Sequence, residues 1–247
     1  SMTPALIPWN LYREVVMNEK YGTFYALSVG PGDPELMTVK ACRCLERCPV
    51  IAAPQTKSGQ MLALDIARGA VSLDGKEILP LRFTMSRDAS VRQESYRAAA
   101  QQIEKKLAAG LDVAMVNLGD VSVYATAFYI FDQIRKDGFA ACMLPGVTSF
   151  CAVAAQLGRS LTEMDLPLHI IPASGMELDA ALALPGTKVL MKSGSAIEQS
   201  VQALKRHGLL EKAALVADCG LPTQKVVEDL EKLPADIGYF ATIVVSE

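Results

Sequence analysis

Short apolar runs alternate with longer amphipathic stretches along this chain of 247 residues. The short runs predict buried strands, and the amphipathic stretches predict helices that cover them. Strands are predicted at 24–29, 49–54, 77–81, 112–118, 140–144, 168–172, 187–192, 213–218 and 240–245. Helices are predicted near 34–48, 59–70, 90–110, 124–138, from "PGVTSF" to about 158, near 177–183 and at 195–208. This alternation predicts an α/β protein with mainly parallel sheets.

The polar segment 159–167 is the best candidate for a linker between two α/β lobes. The boundary between the lobes is therefore expected somewhere from residue 119 to residue 167. As a working division we take 22–120 as the N-terminal lobe and 121–247 as the C-terminal lobe. Residues 1–21 precede the first predicted strand and are expected to form an N-terminal arm.

Composition narrows the class of protein. Hydrophobic residues make up 51% of the chain and charged residues 21%, so a large core is expected. The net charge of -3 favours neither nucleic acid nor an anionic membrane as a partner, and no apolar run is long enough to span a bilayer. The start of the chain lacks the pattern of a secretory signal, and the six cysteines are scattered. These features predict reduced thiols and a cytoplasmic location.

Three cysteines fall inside the first predicted helix, at 42, 44 and 48. Their spacing matches no zinc pattern, and no metal site is predicted. Cys42 and Cys48 fit the apolar face of this helix beside Ala41 and Leu45. We therefore expect them to pack as small buried hydrophobic side chains.

Glycine-bearing breaks follow four of the predicted strands, at 30–33, 118–120, 145–149 and 219–223. Any one of them is compatible with a plain turn. Together, at the carboxyl ends of strands, they predict bare backbone N–H and C=O groups that hold a ligand. The first loop matches neither a P-loop, since Lys and a hydroxyl residue are missing, nor a dinucleotide fingerprint, since Glu35 replaces the third glycine. Asp33 suits the N-cap of the following helix.

Side chains typical of catalysis are scarce elsewhere. The chain has two histidines. His169 lies in an apolar run and is expected in the core, and His207 is expected as a solvated cation at a helix end. The sequence contains no nucleophile elbow and no zinc signature. An enzyme of this composition is expected to position a reactive cofactor rather than to supply its own nucleophile.

Several segments resemble the tetrapyrrole methylases in the order that this family has them. They are "ALSVGPGDPELMTVKA", "LGDVSVYAT", "PGVTSF", "GLPTQKV" and "YFATIVV". The resemblance runs from about Phe24 to the end of the chain. It implies two α/β lobes with the active site in the interlobe cleft, S-adenosylmethionine as methyl donor, and a homodimer. It also implies that the cofactor lies near Pro31, Leu118, Gly119, Asp120, Val123, Thr148, Ser149, Met191, Gly220 and Thr242.

Within this family the segments "VIAAPQTKSGQMLALDIA" and "LPLRFTMSRD" are similar to the branch that methylates C20 of precorrin-2 or cobalt-factor II in cobalamin synthesis. Relatives that methylate uroporphyrinogen carry an aspartate at the end of the second strand, where this chain has Pro54. The resemblance thus implies a tetrapyrrole substrate with many carboxylates, and four basic residues are candidates to pair with them: Lys57, Arg82, Arg87 and Arg92. The residue that accepts the proton is not identified.

Two alternatives stay open from the sequence. One is a methyltransferase of the same family with another ring position, or with protein or RNA as its substrate. The other is a nucleotide-sensing module without catalysis that uses the same loops.

Overall fold

Ten strands and seven helices alternate along the residues that the computed structural model describes, which are 20–175 and 177–247. The strands are β1 (Phe24–Ser28), β2 (Val50–Pro54), β3 (Glu77–Leu81), β4 (Val113–Asn117), β5 (Ala141–Leu144), β6 (Leu168–Pro172), β7 (Thr187–Met191), β8 (Ala213–Ala217), β9 (Lys225–Val227) and β10 (Ala241–Val245). The helices are α1 (Val39–Arg47), α2 (Leu62–Ala70), α3 (Ala89–Ala108), α4 (Thr126–Lys136), α5 (Ser149–Leu157), α6 (Leu178–Leu182) and α7 (Ile197–Arg206). Within these described ranges, no helix combines the length and the apolar character that crossing a bilayer requires.

The first of two units contains the described residues up to Gly30 and the segment Pro34–Gly146. Its sheet, called the first sheet below, is parallel throughout and has the order β3-β2-β4-β1-β5. Alternate side chains of β1 point to opposite faces. Leu27 packs with α1 and α2, whereas Ala26 packs with α3 and α4. Burial on both faces is the reason that these strands appear in the sequence as continuous apolar runs.

The second unit contains Pro31–Asp33 and Val147–Glu247. Its sheet, the second sheet, has the order β6-β7-β10-β8-β9. One face packs with α6 and α7. The other face packs with α5, where Val153 contacts Val216 of β8 and Val244 of β10.

The predicted α/β class with mainly parallel pairing is confirmed, since five of the eight strand pairings among the described residues are parallel. The second sheet departs from that expectation, because three of its four pairings are antiparallel. The connection 218–224 between β8 and β9 is too short for the crossover that parallel neighbours need. The short strand β9 was not predicted.

The division between the units lies after Gly146, which is inside the predicted range of 119–167 but not at the working boundary of residue 120. The segment 121–146 belongs to the first unit because its strand β5 pairs with β1. The predicted arm 1–21 lies outside the described residues except for Lys20 and Tyr21.

Helix α1 begins later than predicted. Its N-cap is Thr38, whose side chain accepts a hydrogen bond from Ala41 N at 3.1 Å, while Pro34–Leu36 forms a separate 3-10 turn. Asp33 is therefore not the cap. Cys44 and Cys48 are buried with their sulfur atoms 3.8 Å apart, and Cys42, which was expected in the core, is only half-buried. All six cysteines lie in the described part of the chain, and none is in a disulfide bond.

Two carboxyl groups meet between α3 and the end of α4. Burial, followed by the hydrogen bond that protonated Glu104 donates to the Asp137 carboxylate, raises the pKa of Glu104 from 4.5 to about 7. Hydrogen bonds from Gln133, at 3.0 Å, and from Glu104 lower the pKa of Asp137. One oxygen of Glu104, Oε1, is buried and has no hydrogen-bond partner among the described residues.

This pair predicts a pH-dependent stability. The folded state favours protonated Glu104, so its contribution to the free energy of unfolding is complete below about pH 4.5 and is lost as the pH rises through about 7. Asp137 acts in the opposite sense, and its contribution is lost only as the pH falls below its ordinary value of 3.8. We expect the urea midpoint to fall between about pH 5 and about pH 8, and Glu104→Gln to reduce that fall.

The matched control is Glu94→Gln, at an exposed position of the same helix. The prediction fails if the change in midpoint with pH is the same in the unsubstituted protein and in Glu104→Gln.

Candidate functional site

A pair of backbone hydrogen bonds joins the ends of β1 and β4. Gly30 N donates to Gly119 O at 3.2 Å, and Gly119 N donates to Gly30 O at 2.7 Å. Both residues have positive φ, +77° for Gly30 and +71° for Gly119. Because L side chains are strained in this region, glycine is the residue that allows both chains to turn here.

A buried hydroxyl ties a third strand end to this pair. Ser28 Oγ donates to Leu144 O of β5 at 2.7 Å and accepts from Val121 N at 3.0 Å. The loop after β5 passes so close that a Cβ on Gly146 would lie 2.5 Å from Ser28 Cβ. The carboxyl ends of β1, β4 and β5 are therefore held as one structure.

Asp120 uses both oxygens to hold the same loops. Its side chain is 8% exposed. Oδ1 accepts from Ser122 N at 2.8 Å and from the Ser122 hydroxyl, and Oδ2 accepts from Gly146 N at 2.8 Å. This carboxylate consequently fixes the loop after β4 against the loop after β5.

Four of the glycine N–H groups in these loops are not bare. The N–H groups of Gly30, Gly119 and Gly146 all donate within the protein, and Gly220 N donates to Gln224 Oε1 at 2.8 Å. What the first unit offers instead is open space, because a Cβ on Gly119 would meet no atom within 4 Å. The Cβ position of Gly119 is thus unoccupied, while its N–H group is already paired.

A second group of predicted site residues lies in the second unit. The loop Pro31–Asp33 packs on the turn after β8, where a Cβ on Gly32 would be 2.4 Å from Cys219 O. A Cβ on Gly220 would be 2.7 Å from Asp33 N. Both glycines are required because the two backbones are in direct contact.

The remaining four residues of this group lie on α5, β7 and β10. Strand β10 is antiparallel to β7 and β8, so its start, with Thr242, lies beside the ends of both strands, including Met191 of β7. Thr148 and Ser149 begin α5, which packs on β8 and β10. Thr148 makes no side-chain capping bond, and its buried Oγ1 has no hydrogen-bond partner in the described part of the chain.

The ten predicted cofactor residues therefore form two groups. Those of the first unit are Leu118, Gly119, Asp120 and Val123. Those of the second unit are Pro31, Thr148, Ser149, Met191, Gly220 and Thr242. The sequence reasoning missed Ser28 and the role of Gly146, although a serine inside the apolar run "FYALSVG" was a usable signal.

The four basic candidates differ in what they contact. Arg92 Nη1 donates to Ser86 O at 3.0 Å and to Arg87 O at 2.7 Å, so it closes the loop before α3. Lys57, Arg82 and Arg87 are exposed. Arg82 directly follows β3, and Lys57 lies in the turn after β2.

The two histidines have backbone or surface partners. His169 is only half-buried, on the outer strand β6, rather than in the core, and its Nε2 lies 2.8 Å from Pro185 O. His207 caps α7 and lies 2.9 Å from Asp179 Oδ1. Hydrogen bonds from His207 and Arg206 lower the pKa of Asp179.

Replacing Asp120 tests the network around it. In Asp120→Asn the amide nitrogen cannot accept a hydrogen bond, so either the Gly146 N–H or the Ser122 donors lose their partner. We expect a loss of about 1–3 kcal/mol in the free energy of unfolding, measured by denaturant titration. Asp132→Asn is the control, since the side chain of Asp132 is 45% exposed and its one ion pair among the described residues, with Lys136 at 2.6 Å, is worth about 0–1 kcal/mol. Equal losses in the two variants would contradict the role given to Asp120.

The fold has close counterparts among solved structures. A cobalt precorrin-4 methyltransferase aligns with a TM-score of 0.74 and 22% identity, over 94% of this chain and 97% of that one. A uroporphyrin-III C-methyltransferase from Thermus thermophilus, complexed with S-adenosylhomocysteine, aligns with a TM-score of 0.67 and 21% identity, over 92% of each chain. At these identities the likeness concerns the fold.

Sequence comparison gives the family. The cobalt-precorrin-2 C(20)-methyltransferase of Salmonella typhimurium is 32% identical over 92% of this chain and 97% of its own length. The precorrin-2 C(20)-methyltransferase of a Sinorhizobium species is 27% identical over 91% of this chain and 95% of its own. The family model of the tetrapyrrole (corrin/porphyrin) methylases matches residues 23–234. With that match and these strand-end loops, the chain belongs to the tetrapyrrole methylase family.

Proposed function

We propose that this protein is an S-adenosylmethionine-dependent methyltransferase that methylates C20 of precorrin-2 or cobalt-factor II during synthesis of the corrin ring. The observation that carries the proposal is the 32% identity to a cobalt-precorrin-2 C(20)-methyltransferase over nearly the full length of both chains. A match of that extent includes both units rather than a single loop.

The residue at the end of β2 supports the choice of ring position. Pro54 pairs in register with Leu81 of β3 and is half-buried. A proline side chain has no group that accepts a proton. Relatives that methylate uroporphyrinogen carry an aspartate at this position. Its absence here agrees with the branch that methylates C20.

When bound, S-adenosylmethionine supplies a methyl group on a positively charged sulfur. A solved relative of the same fold is complexed with the demethylated product of this donor. We assign the first-unit part of the site to Leu118, Gly119, Asp120 and Val123. The open space beside Gly119 fits a ligand there, and in the second unit the unpartnered Oγ1 of Thr148 fits a polar ligand atom.

The protein's own contribution is alignment. The paired glycines and the Ser28 and Asp120 hydrogen bonds fix the loops, so the geometry of the bound reactants is set before reaction. In the best intramolecular cases such alignment lowers the barrier by about 7–11 kcal/mol. A covalent nucleophile is not required for a direct methyl transfer, which agrees with the scarcity of catalytic side chains in the sequence.

The position of the new methyl group tests the proposal directly. Purified protein, precorrin-2 or cobalt-factor II, and donor with an isotope-labelled methyl group are incubated, and the product is examined by carbon NMR. We expect label on the meso carbon C20. Label on a pyrrole carbon would contradict the proposed position and leave membership of the family intact.

Binding of the donor product tests the role of Gly119. Gly119→Ala places a methyl group where we propose that the ligand approaches, and we expect affinity for S-adenosylhomocysteine to fall at least about tenfold in calorimetry. Gly75→Ala is the matched control, because Gly75 also has positive φ, +75°, and open space around its Cβ position. Both variants carry the same backbone strain, so equal affinities would count against this placement.

The family resemblance also leads us to propose a cytoplasmic homodimer. The chain is 51% hydrophobic, and Phe128 and Tyr129 of α4 are exposed, with Tyr129 stacked on Tyr96 at 4.9 Å. A stable dimer typically buries about 1,600 Å² in total. Sedimentation at micromolar concentration is expected to give twice the chain mass of 26.5 kDa, and a species of one chain mass would contradict the dimer.

A further inference from the structure

The first sheet carries basic side chains at the same edge as the paired glycines. All five strands are parallel, so their carboxyl ends lie at one edge. Pro54 and Leu81 end β2 and β3 in register, and Gln55 and Arg82 follow them directly. In the strand order, β2 lies between β3 and β4, and β4 is the strand that leads to Gly119. Two strand spacings, about 10 Å, separate β4 from β3.

The side chain of Arg82 contacts a neighbouring glutamine. Gln55 N donates to Leu81 O at 2.8 Å, which continues the pairing of the two strands. Gln55 Oε1 accepts from Arg82 Nε at 3.4 Å, and Gln55 Nε2 donates to Gly59 O at 3.4 Å. The glutamine thus connects the arginine to the turn after β2.

That turn presents a lysine and is closed by its own hydrogen bonds. Thr56 N donates to Gln60 O at 2.9 Å, Gly59 N donates to Thr56 O at 2.9 Å, and Gln60 N donates to Thr56 Oγ1 at 3.0 Å. Lys57 is exposed within this closed turn. Its position is therefore set by backbone hydrogen bonds rather than by an ion pair.

The charges at this edge are not neutralised by the protein. The terminal guanidinium nitrogens of Arg82 and the ammonium of Lys57 make no hydrogen bond or ion pair with any described residue. Some other exposed cations of the first unit do have carboxylate partners, such as Lys136 with Asp132 at 2.6 Å. A planar guanidinium with free terminal nitrogens matches a carboxylate in two parallel hydrogen bonds.

We propose that Arg82, positioned by Gln55 and assisted by Lys57, binds carboxylate groups of the tetrapyrrole substrate and selects for a highly carboxylated macrocycle. Arg92 is not assigned this role, because its Nη1 already donates to two backbone carbonyls and holds the side chain against the loop before α3. The inference rests on the proposed function. Its test measures porphyrin binding rather than methyl transfer, so that a failure of the inference can be distinguished from a failure of the proposed function.

The probes are two porphyrins with intrinsic fluorescence. Uroporphyrin carries acetate and propionate on every pyrrole ring, and coproporphyrin has methyl groups in place of the acetates. We expect the unsubstituted protein to bind uroporphyrin more tightly, and Arg82→Gln to weaken that binding about tenfold. Arg82→Lys should restore part of the affinity, and S-adenosylhomocysteine affinity should stay unchanged in both variants.

Arg43→Gln is the matched control, because Arg43 is an exposed arginine of the same unit on α1 and has no ion-pair partner among the described residues. We expect it to bind uroporphyrin within about twofold of the unsubstituted protein. Equal affinities in Arg82→Gln and Arg43→Gln would overturn the proposal. Failure of the unsubstituted protein to prefer uroporphyrin over coproporphyrin would overturn it as well.

The positioning role of Gln55 has its own readout. Gln55→Glu keeps an acceptor for Arg82 Nε but places a carboxylate beside the guanidinium, where it competes with the substrate. We expect weaker uroporphyrin binding with an unchanged denaturant midpoint. Gln101→Glu, at an exposed position of α3, controls for the added negative charge. A Gln55→Glu variant that binds uroporphyrin as tightly as this control would overturn the role given to Gln55.

The outcomes separate this inference from the proposed function. If the methyl group is transferred to C20 and Arg82→Gln binds uroporphyrin with unchanged affinity, the role of Arg82 is contradicted and the proposed function is not. The opposite outcome combines two results: Arg82→Gln loses the preference for uroporphyrin, and the methyl label is found on a pyrrole carbon. That outcome supports the role of Arg82 and contradicts the C20 position.

Discussion

The mutual hydrogen bonds between Gly30 and Gly119 are the interaction on which the candidate site depends. They close the gap between the loops after β1 and β4, and Ser28 and Asp120 then attach the loop after β5. Ser28, Gly30 and Asp120 are buried, and Gly119 and Gly146 are half-buried. A buried donor or acceptor without a partner costs about 1–3 kcal/mol, so the whole arrangement is favoured over any with one bond missing. A rigid edge results, and the position of every predicted cofactor residue in the first unit follows from it.

This arrangement also determines what kind of ligand suits the edge. In phosphate-binding loops the glycine N–H groups point at the anion. Here the corresponding N–H groups of Gly30, Gly119 and Gly146 are donated within the protein, and the ligand is offered open space beside Gly119. A donor whose reactive centre is a cationic sulfur needs no row of N–H groups. The basic side chains that we propose for carboxylate binding, Lys57 and Arg82, lie after β2 and β3 instead.

How much of the fold and of the candidate site was predictable depends on how far apart along the sequence the interacting residues lie. The strands of the first sheet were predictable because burial on both faces produces continuous apolar runs. The strand directions in the second sheet were not predictable, because they depend on which strands β10 pairs with. The cap of α1 at Thr38 rather than Asp33 is a local choice between two good N-cap residues, and the pattern alone did not separate them. Ser28 and Leu144 are 116 residues apart, so no local pattern relates them. The glycines were found, but the partners of their N–H groups became evident only from the fold.

The most direct test of this account is a crystal structure of the protein with bound S-adenosylhomocysteine. The account predicts ligand atoms in van der Waals contact with Gly119, with the two hydrogen bonds between Gly30 and Gly119 intact. A ligand bound away from the loop after β4, or one whose binding breaks the Gly30–Gly119 pair to reach the freed N–H groups, would contradict it.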